Sequence, residues 1–313
     1  MNGGGFVLQY TLLRDGKDYK GNLHAHTTLS DGELTPEAAF RRYKEGGYSF
    51  LAITDHRRYG VFAEENTKDF LVFPGVELDT LYQGKHHHIV GLSTPSRAKL
   101  SHGDRYGEDS CGAVSPQRMI DSLLETGNIA IYAHPSWGYA TAEDMRGLHG
   151  LTGIEIFNYS CDQRWRTGLA EQHYAMLLEE GCRLACLSVD DTHMHTPDTC
   201  GGYITVRSRA LTHDAIFDAL LHGSFYASAS RPGEEAPRIH DFYVEEGVAH
   251  LTTSPCDGLY LLSGWAKFRS QHGTREQPVS TLSYEVPPQA AFVRAVAVDF
   301  EGRVSWSQPI WLK

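Results

Sequence analysis

Residues Phe50-Leu51-Ala52-Ile53-Thr54-Asp55-His56 pass from four apolar side chains directly into a hydroxyl, a carboxylate and an imidazole. A short unbroken apolar run suits a strand buried on both faces, as in a parallel sheet. The polar residues then fall at the strand's carboxyl end, where α/β proteins gather their sites. The segment before it reads as a helix: Thr35 is an N-cap, Pro36 occupies the first turn, and Gly46-Gly47 stops it.

The unit recurs along the chain. Tyr19–His26, Phe70–Phe73 and His86–Leu92 read as strands. Ser115-Pro116 opens a helix that stops at Gly127, and Ile129–Ala133 is a strand. Thr141, with Asp144 three residues on, starts a short helix. Gly153–Phe157 and Leu184–Ser188 are strands flanking a longer helix over Arg164–Glu180, and Thr212 caps a helix ending at Gly223. Repeated strand–helix units imply a parallel sheet with covering helices, and roughly seven of them fit a closed or nearly closed barrel better than an open sheet.

The character changes after Ser230-Arg231-Pro232-Gly233. Val298–Val304 reads as strand, Glu301-Gly302 turn, strand; Phe292, Val296, Val298 and Phe300 share one face, and Val304 and Trp306 continue the alternation. Pro287-Pro288 marks a loop. The expected organisation is an α/β barrel over residues 1–233 and a small antiparallel β-sandwich over 234–313.

Of the 313 residues, 41% are apolar and 21% charged, ordinary values for a chain with a full core. No apolar stretch is long enough to span a membrane, and Met1–Asp15 shows no secretory signal. The six cysteines form no CxxC pair, so they read as reduced thiols of a cytoplasmic protein. A formal charge of −11 disfavours long nucleic acid as a partner.

Six segments carry metal-ligand residue types, each at a strand end. In His24-Ala25-His26, alternation points both imidazoles one way, and Asp31 follows in the next loop. His56 ends Thr54-Asp55-His56, and Glu77 sits in Gly75-Val76-Glu77. In His86-His87-His88 the outer two share a face; His88, nearer the apolar run, is favoured and His86 is its rival. Ala133-His134-Pro135 supplies another imidazole. Asp191 and His193 share an i, i+2 relation, and Asp190 points elsewhere, as a supporting hydrogen-bond acceptor. Imidazole and carboxylate without thiolate suit Zn, Mn or Fe. Arg57 and Arg58, just after His56, are candidates for contacting phosphate. Trp137, Tyr139 and Asn158, beyond strand ends, are candidates for lining the pocket.

Taken in order, HxH…SDG, TDH, GVE, a strand His, AHP and DxH resemble the PHP (polymerase and histidinol phosphatase) family over Tyr19–Pro232. Asp214–Pro232, with Phe225-Tyr226-Ala227-Ser228, resembles its carbaryl-hydrolase-like branch, and Val293–Leu312 is similar to a β appendage of some members. The resemblance implies a distorted (β/α)7 TIM-like barrel with two or three divalent cations. His24, His26, Glu77 and Asp191 would hold the first; Glu77, His88 and His134 the second; Asp31, His56 and His193 the third. Asp191 and His193 would stand closest to the chemistry. Three carboxylates, about −3, against three divalent cations leave a pocket that attracts a small phosphorylated molecule. The expected function is a metal-dependent phosphoesterase acting on a phosphomonoester or nucleotide phosphate through a metal-bridging hydroxide. The alternatives are hydrolysis of a carboxylic ester, amide or carbamate, or a non-catalytic metal-binding scaffold.

Overall fold

A computed structural model describes residues 8–106, 114–264 and 266–313. The helix punctuation operates as expected. The Thr35 hydroxyl accepts from the Ala38 N–H at the start of α1 (Pro36–Glu45), whose buried face is Pro36, Ala39, Phe40 and Tyr43. Ser115 caps α2 (Pro116–Glu125) in the same way, and Thr141 with Asp144 forms a capping box on α3 (Ala142–Arg146).

The single helix expected over Arg164–Glu180 is two. Helix α4 (Tyr159–Trp165) begins earlier, capped by the Asn158 side chain, and ends at Arg166 with φ 59°. The chain then turns back against the strand it just left: Asn158 N–H donates to Gly168 O and Ala170 N–H to Ile156 O. A Cβ at Gly168 would lie 2.3 Å from Asn158 O, so glycine permits that approach. Helix resumes as α5 (Glu171–Glu179). Thr212 caps the last helix, α6 (His213–His222), which closes on Gly223.

The strands form three sheets rather than one closed barrel. The five-stranded sheet runs Gly75–Tyr82, Lys85–Leu92, Ile129–Ala133, Leu151–Asn158, Ala185–Val189 in spatial order. Its first three strands are antiparallel, against the all-parallel expectation. Only Gln83-Gly84, both with positive φ, separates the first two, a hairpin turn too short for any crossover helix. The strand Gly75–Tyr82 was not anticipated. Parallel pairing holds for Ile129–Ala133 with Leu151–Asn158 and Ala185–Val189, and for Lys17–Asn22 with Phe50–Ala52 and Leu71–Phe73.

The latter trio ends a ten-stranded sheet that continues through Gly202–Ser208, Phe225–Ala229, Val304–Ser307, Phe292–Val298 and Gly258–Leu262 to Phe268–His272, with Ile310–Trp311 paired to Phe292–Val298 off this path. Gln9–Tyr10, Ile239–Glu245, Val248–Cys256 and Val279–Glu285 make the third sheet. Phe242, Leu251, Leu259, Leu261, Val293 and Ala295 fill the core between the third sheet and the C-terminal part of the second. After α6 every described regular element is a strand.

The five-stranded and ten-stranded sheets meet at one end through two isolated parallel bridges, Ala25↔Thr192 and His56↔Glu77. The polar strand ends therefore carry the junction. Among the described residues no helix is long and apolar enough to cross a membrane. The five described cysteines are free thiols; Cys111 lies outside the described residues.

Candidate metal centre

The junction is stitched by backbone bonds. His26 N–H donates to Thr192 O and Asp191 N–H to His24 O, each at 2.9 Å. Segments 24–26 and 191–193, far apart in sequence, thus present side chains into one space. His24 Nε2 and His26 Nε2 lie 3.1 Å apart. Each stands 3.0–3.2 Å from Glu77 Oε2 and from Asp191 Oδ1. All four side chains are buried and all four atoms lie within 4.8 Å of one another.

Glu77 organises the rest. His88 Nδ1 approaches its Oε1 at 2.9 Å and His134 Nε2 at 3.1 Å, while His56 Nδ1 sits 3.3 Å from Oε2. His88, not His86, enters the cluster; His86 is exposed and its ring lies 5.6 Å from Trp137. A third grouping gathers His26, Asp31, His56 and His193. His193 Nε2 stands 3.5 Å from Asp31 Oδ2, and the His26 and His193 rings stack at 4.2 Å. Grouping by distance adds His26 to the expected third set and puts His56 beside Glu77 and His88 in the second. Asp31, His56, Glu77, His88, His134, Asp191 and His193 line one pocket; His24 and His26 adjoin it through Glu77 and Asp191, and His134, in none of the three groupings, stands 3.1 Å from Glu77.

Two polar atoms there are buried without a hydrogen-bond partner: Asp191 Oδ1 and His56 Nδ1. Buried polar atoms are almost always satisfied. Two backbones are also left-handed, His134 at φ 25° and Asp191 at φ 54°, conformations that cost non-glycine residues and cluster at functional sites. Imidazole and carboxylate donors converging on orphaned atoms fit divalent cations.

Charge follows the packing. Burial alone would lower His26, but the adjacent carboxylates of Asp191 and Glu77 prevail and push it up to about 10. Burial is likewise outweighed at His24, where the charges of Asp191, Glu77 and Glu155 hold the imidazole well above its ordinary range. Glu77 is held well below the carboxylate range, its burial overcome by His24, His56 and His88. His56 is pushed down to about 4, chiefly by burial.

A supporting layer was largely unread in the sequence. Glu155, 1% exposed, accepts from His24 Nδ1 at 2.6 Å, His134 N at 2.8 Å and Asn158 Nδ2 at 2.9 Å. Its signal was a glutamate on the inward face of the apolar strand Gly153-Ile154-Glu155-Ile156-Phe157. Asp55 accepts from Thr27 N, Thr27 Oγ1 and Ser30 Oγ, fixing the loop that carries Asp31. Asp198 takes Thr192 Oγ1, His193 N and Met194 N; in an irregular loop, it gave no signal. Asp190 is a supporting acceptor, but of the Cys200, Gly201 and Gly202 N–H groups and Tyr43 OH rather than of a cluster histidine.

The pocket over the cluster has a volume near 190 Å³. Trp137 lines it, its ring 5.3 Å from His88 and 5.1 Å from His134. The four other expected substrate contacts do not line it. Asn158 is fully buried, donating to Glu155 and Asp191 while its oxygen caps α4. Arg58 does not line the pocket; one guanidinium nitrogen reaches Leu29 O at 3.4 Å. Arg57 forks onto Asp79, and Tyr139 is 79% exposed away from the cluster. Lining residues not anticipated are Ser160, Cys161, Arg164 and Trp165 of α4, and His195.

No family model matches the chain. A 78-residue stretch is 45% identical to the 5′-3′ exoribonuclease Rnm of Escherichia coli, covering 23% of this chain and 27% of that protein. The chain thus matches only about a quarter of that relative's length. A 153-residue stretch is 28% identical to an uncharacterized protein of Methanocaldococcus jannaschii, covering 44% of this chain and 81% of that one. A crystal structure from Bacteroides vulgatus, described as a two-domain protein containing a predicted PHP-like metal-dependent phosphoesterase, aligns with a TM-score of 0.51. The alignment covers 97% of this chain and 98% of that one at 14% identity, a likeness of fold.

Proposed function

We propose that this chain is a metal-dependent phosphoesterase that hydrolyses a small phosphorylated substrate. One observation carries the reading. Five imidazoles (His24, His26, His56, His88 and His134) surround the single buried carboxylate of Glu77 within 3.3 Å. Protons alone are a poor solution there: imidazolium groups packed around Glu77 and Asp191 would repel one another, and burial holds His56 neutral, down at about 4. Divalent cations shared between Glu77, Asp191 and the ring nitrogens satisfy every lone pair at once.

His24, His26, Glu77 and Asp191 would hold one cation; Glu77, His88 and His134, with His56 beside them, a second; Asp31, His56 and His193 a third. Zn, Mn and Fe all match this donor set. Such cations polarise phosphoryl oxygens and bring the pKa of a bound water to about 7. The protein's own groups set the stage. Glu155 accepts the His24 Nδ1 proton and so turns the Nε2 lone pair toward Glu77 and Asp191. His193 Nδ1 donates to Asp191 O at 2.9 Å, leaving Nε2 to face Asp31 and the pocket. Asp191 and His193 are therefore the pair assigned to the reacting atoms. A space near 190 Å³ beside these ligands has room for a phosphoryl group.

The reading extends to a barrel-like closure and PHP membership, supported by the ordered motifs and the fold likeness. The carboxylic ester, amide or carbamate alternative leans on resemblance within Asp214–Pro232. Those residues form α6 and the strand Phe225–Ala229, and none lines the pocket. A second substrate reading, the 5′ end of RNA, is favoured by the partial similarity to an exoribonuclease and opposed by the charge of −11. Metal-loaded protein should therefore be assayed on p-nitrophenyl phosphate, p-nitrophenyl acetate and a 5′-phosphorylated oligoribonucleotide. The expected result is phosphate-ester turnover lost on chelation and in His24→Ala; turnover of the acetate alone would sink the proposal.

A further inference from the structure

The C-terminal strands are apolar on both faces. On one, Leu259, Leu261, Val293, Ala295 and Ala297 fill the core against the third sheet. Alternation sends Tyr260, Leu262, Val296, Val298, Val304 and Trp306 to the other. There the register sets Tyr260 beside Val296, and Val296 beside Trp306. A sheet with two apolar faces needs cover on both, and on this second face the cover is incomplete. Val296 and Trp306 are buried, but Tyr260, Leu262, Val298 and Val304 are only partly so. A cleft near 810 Å³ opens between these strands and the segment carrying Phe157, α4 and Leu169. Leu169 is 52% exposed although apolar. Helix α4 separates the cleft from the metal centre. Tyr159, Asp162, Gln163 and Arg166, spaced i, i+3, i+4 and i+7, line the cleft, whereas Ser160, Cys161, Arg164 and Trp165 line the pocket over the cluster.

The charges around the cleft are unevenly matched. Asp162 pairs with Arg166 at 3.1 Å, Glu171 with Arg294 at 2.9 Å and Glu301 with Arg303 at 3.0 Å, so each carboxylate lining it has a cation. Arg231, exposed at its rim, has no carboxylate within ion-pair distance among the described residues. The indole N–H of Trp306 is buried without an acceptor, and buried donors are almost always satisfied. What the cleft lacks is apolar surface and a negative acceptor. We propose that it is a second ligand site, taking a small amphipathic monoanion: a flat apolar body against the Tyr260–Trp306 face and one carboxylate or sulfonate at Arg231. The volume lies within the range of about 300–1,000 Å³ usual for small-molecule sites, which pair mostly apolar walls with a few polar groups. No residue of the metal cluster lines the cleft, so the site is independent of the phosphoesterase reading.

Two fluorescent probes that differ only by the charge test it: anilinonaphthalene sulfonate and its neutral parent, phenylnaphthylamine. Each is titrated into the full chain, both metal-loaded and chelator-treated. The sulfonate should bind saturably at one site per chain, alike in the two preparations. Arg231→Ala should weaken the sulfonate about fivefold, the upper range for an exposed ion pair, and the neutral probe less than about twofold. Leu169→Asp, at an exposed side chain, should weaken both at least about tenfold by placing a carboxylate against the apolar body. Circular dichroism shows that each variant is folded. Binding that disappears on chelation puts the probe on the metal centre and overturns the site. Equal losses of both probes in Arg231→Ala, or unchanged binding in Leu169→Asp, overturn it too. A dimer in ultracentrifugation that Leu169→Asp turns into a monomer assigns the cleft to a second copy and likewise overturns the proposal.

Discussion

Replacing Glu155 with glutamine tests whether the buried layer behind the ligands controls them. Three donors converge on this carboxylate: His24 Nδ1 on one oxygen, and His134 N and Asn158 Nδ2 on the other. An amide offers one acceptor oxygen and one NH2. If the oxygen keeps His134 and Asn158, the NH2 faces His24 Nδ1 across a 2.6 Å contact. His24 must then carry its proton on Nε2, the nitrogen that points at Glu77 and Asp191. If the amide flips, two donors confront the NH2. Either arrangement strands at least one buried donor or the wrong tautomer, at about 1–3 kcal/mol. At 1.4 kcal/mol per factor of ten, that predicts about 5- to 140-fold weaker metal binding, in line with the loss of a hydrogen-bond partner behind a ligand. The assay is competition against a chelating indicator on metal-free protein, with circular dichroism to show an intact fold. Affinity unchanged within twofold in a folded Glu155→Gln variant would refute the reasoning.

Removing the Asp55 carboxylate (Asp55→Ala) releases Thr27 and Ser30 and with them the loop of Asp31; elemental analysis should show about one cation lost per chain and the others kept. In metal-free protein His26 is raised to about 10 from an ordinary 6.5, so its contribution to stability is full below 6.5 and disappears as pH rises through 10. The melting temperature of chelator-treated protein should accordingly fall between pH 7 and pH 10 more than that of the loaded protein. Because His24 and His134 are raised as well, metal binding near neutral pH should expel protons, read as a buffer-dependent enthalpy in calorimetry; equal enthalpies across buffers would contradict it. Gly202→Ala would place a Cβ 2.0 Å from Val189 O, a backbone clash beside the Asp190–Asp191 turn, and should destabilise the fold by about 1–3 kcal/mol in chemical denaturation.

The sequence displayed the ligands because their chemistry is local to each strand end. His24 and His26 share a face by alternation alone, and the caps Thr35, Ser115 and Thr212 need only their own first turns. It did not display the hairpin Gly75–Leu92 as a pair of strands, because a turn as short as Gln83-Gly84 carries little local signal without the pairing it joins. The break between α4 and α5 was equally hidden, since one glycine in a helical pattern does not dictate a stop; the return to Asn158 and Ile156, which engages the Gly168 carbonyl and the Ala170 N–H, decides it.

His88 over His86 is the sharpest case. Both alternate onto one side of Lys85–Leu92, and period two cannot separate them. Only the antiparallel register, Asp79 opposite His88, sets one imidazole beside Glu77 and leaves the other at the rim. The sequence determined which residue types stand at which strand ends, and hence the class of ion they suit. Tertiary structure decided which of them meet, that Asn158 and Glu155 stand behind the histidines, and that α4 brings Arg164 and Trp165 to the pocket. Those outcomes depend on contacts between distant segments, which no local pattern encodes.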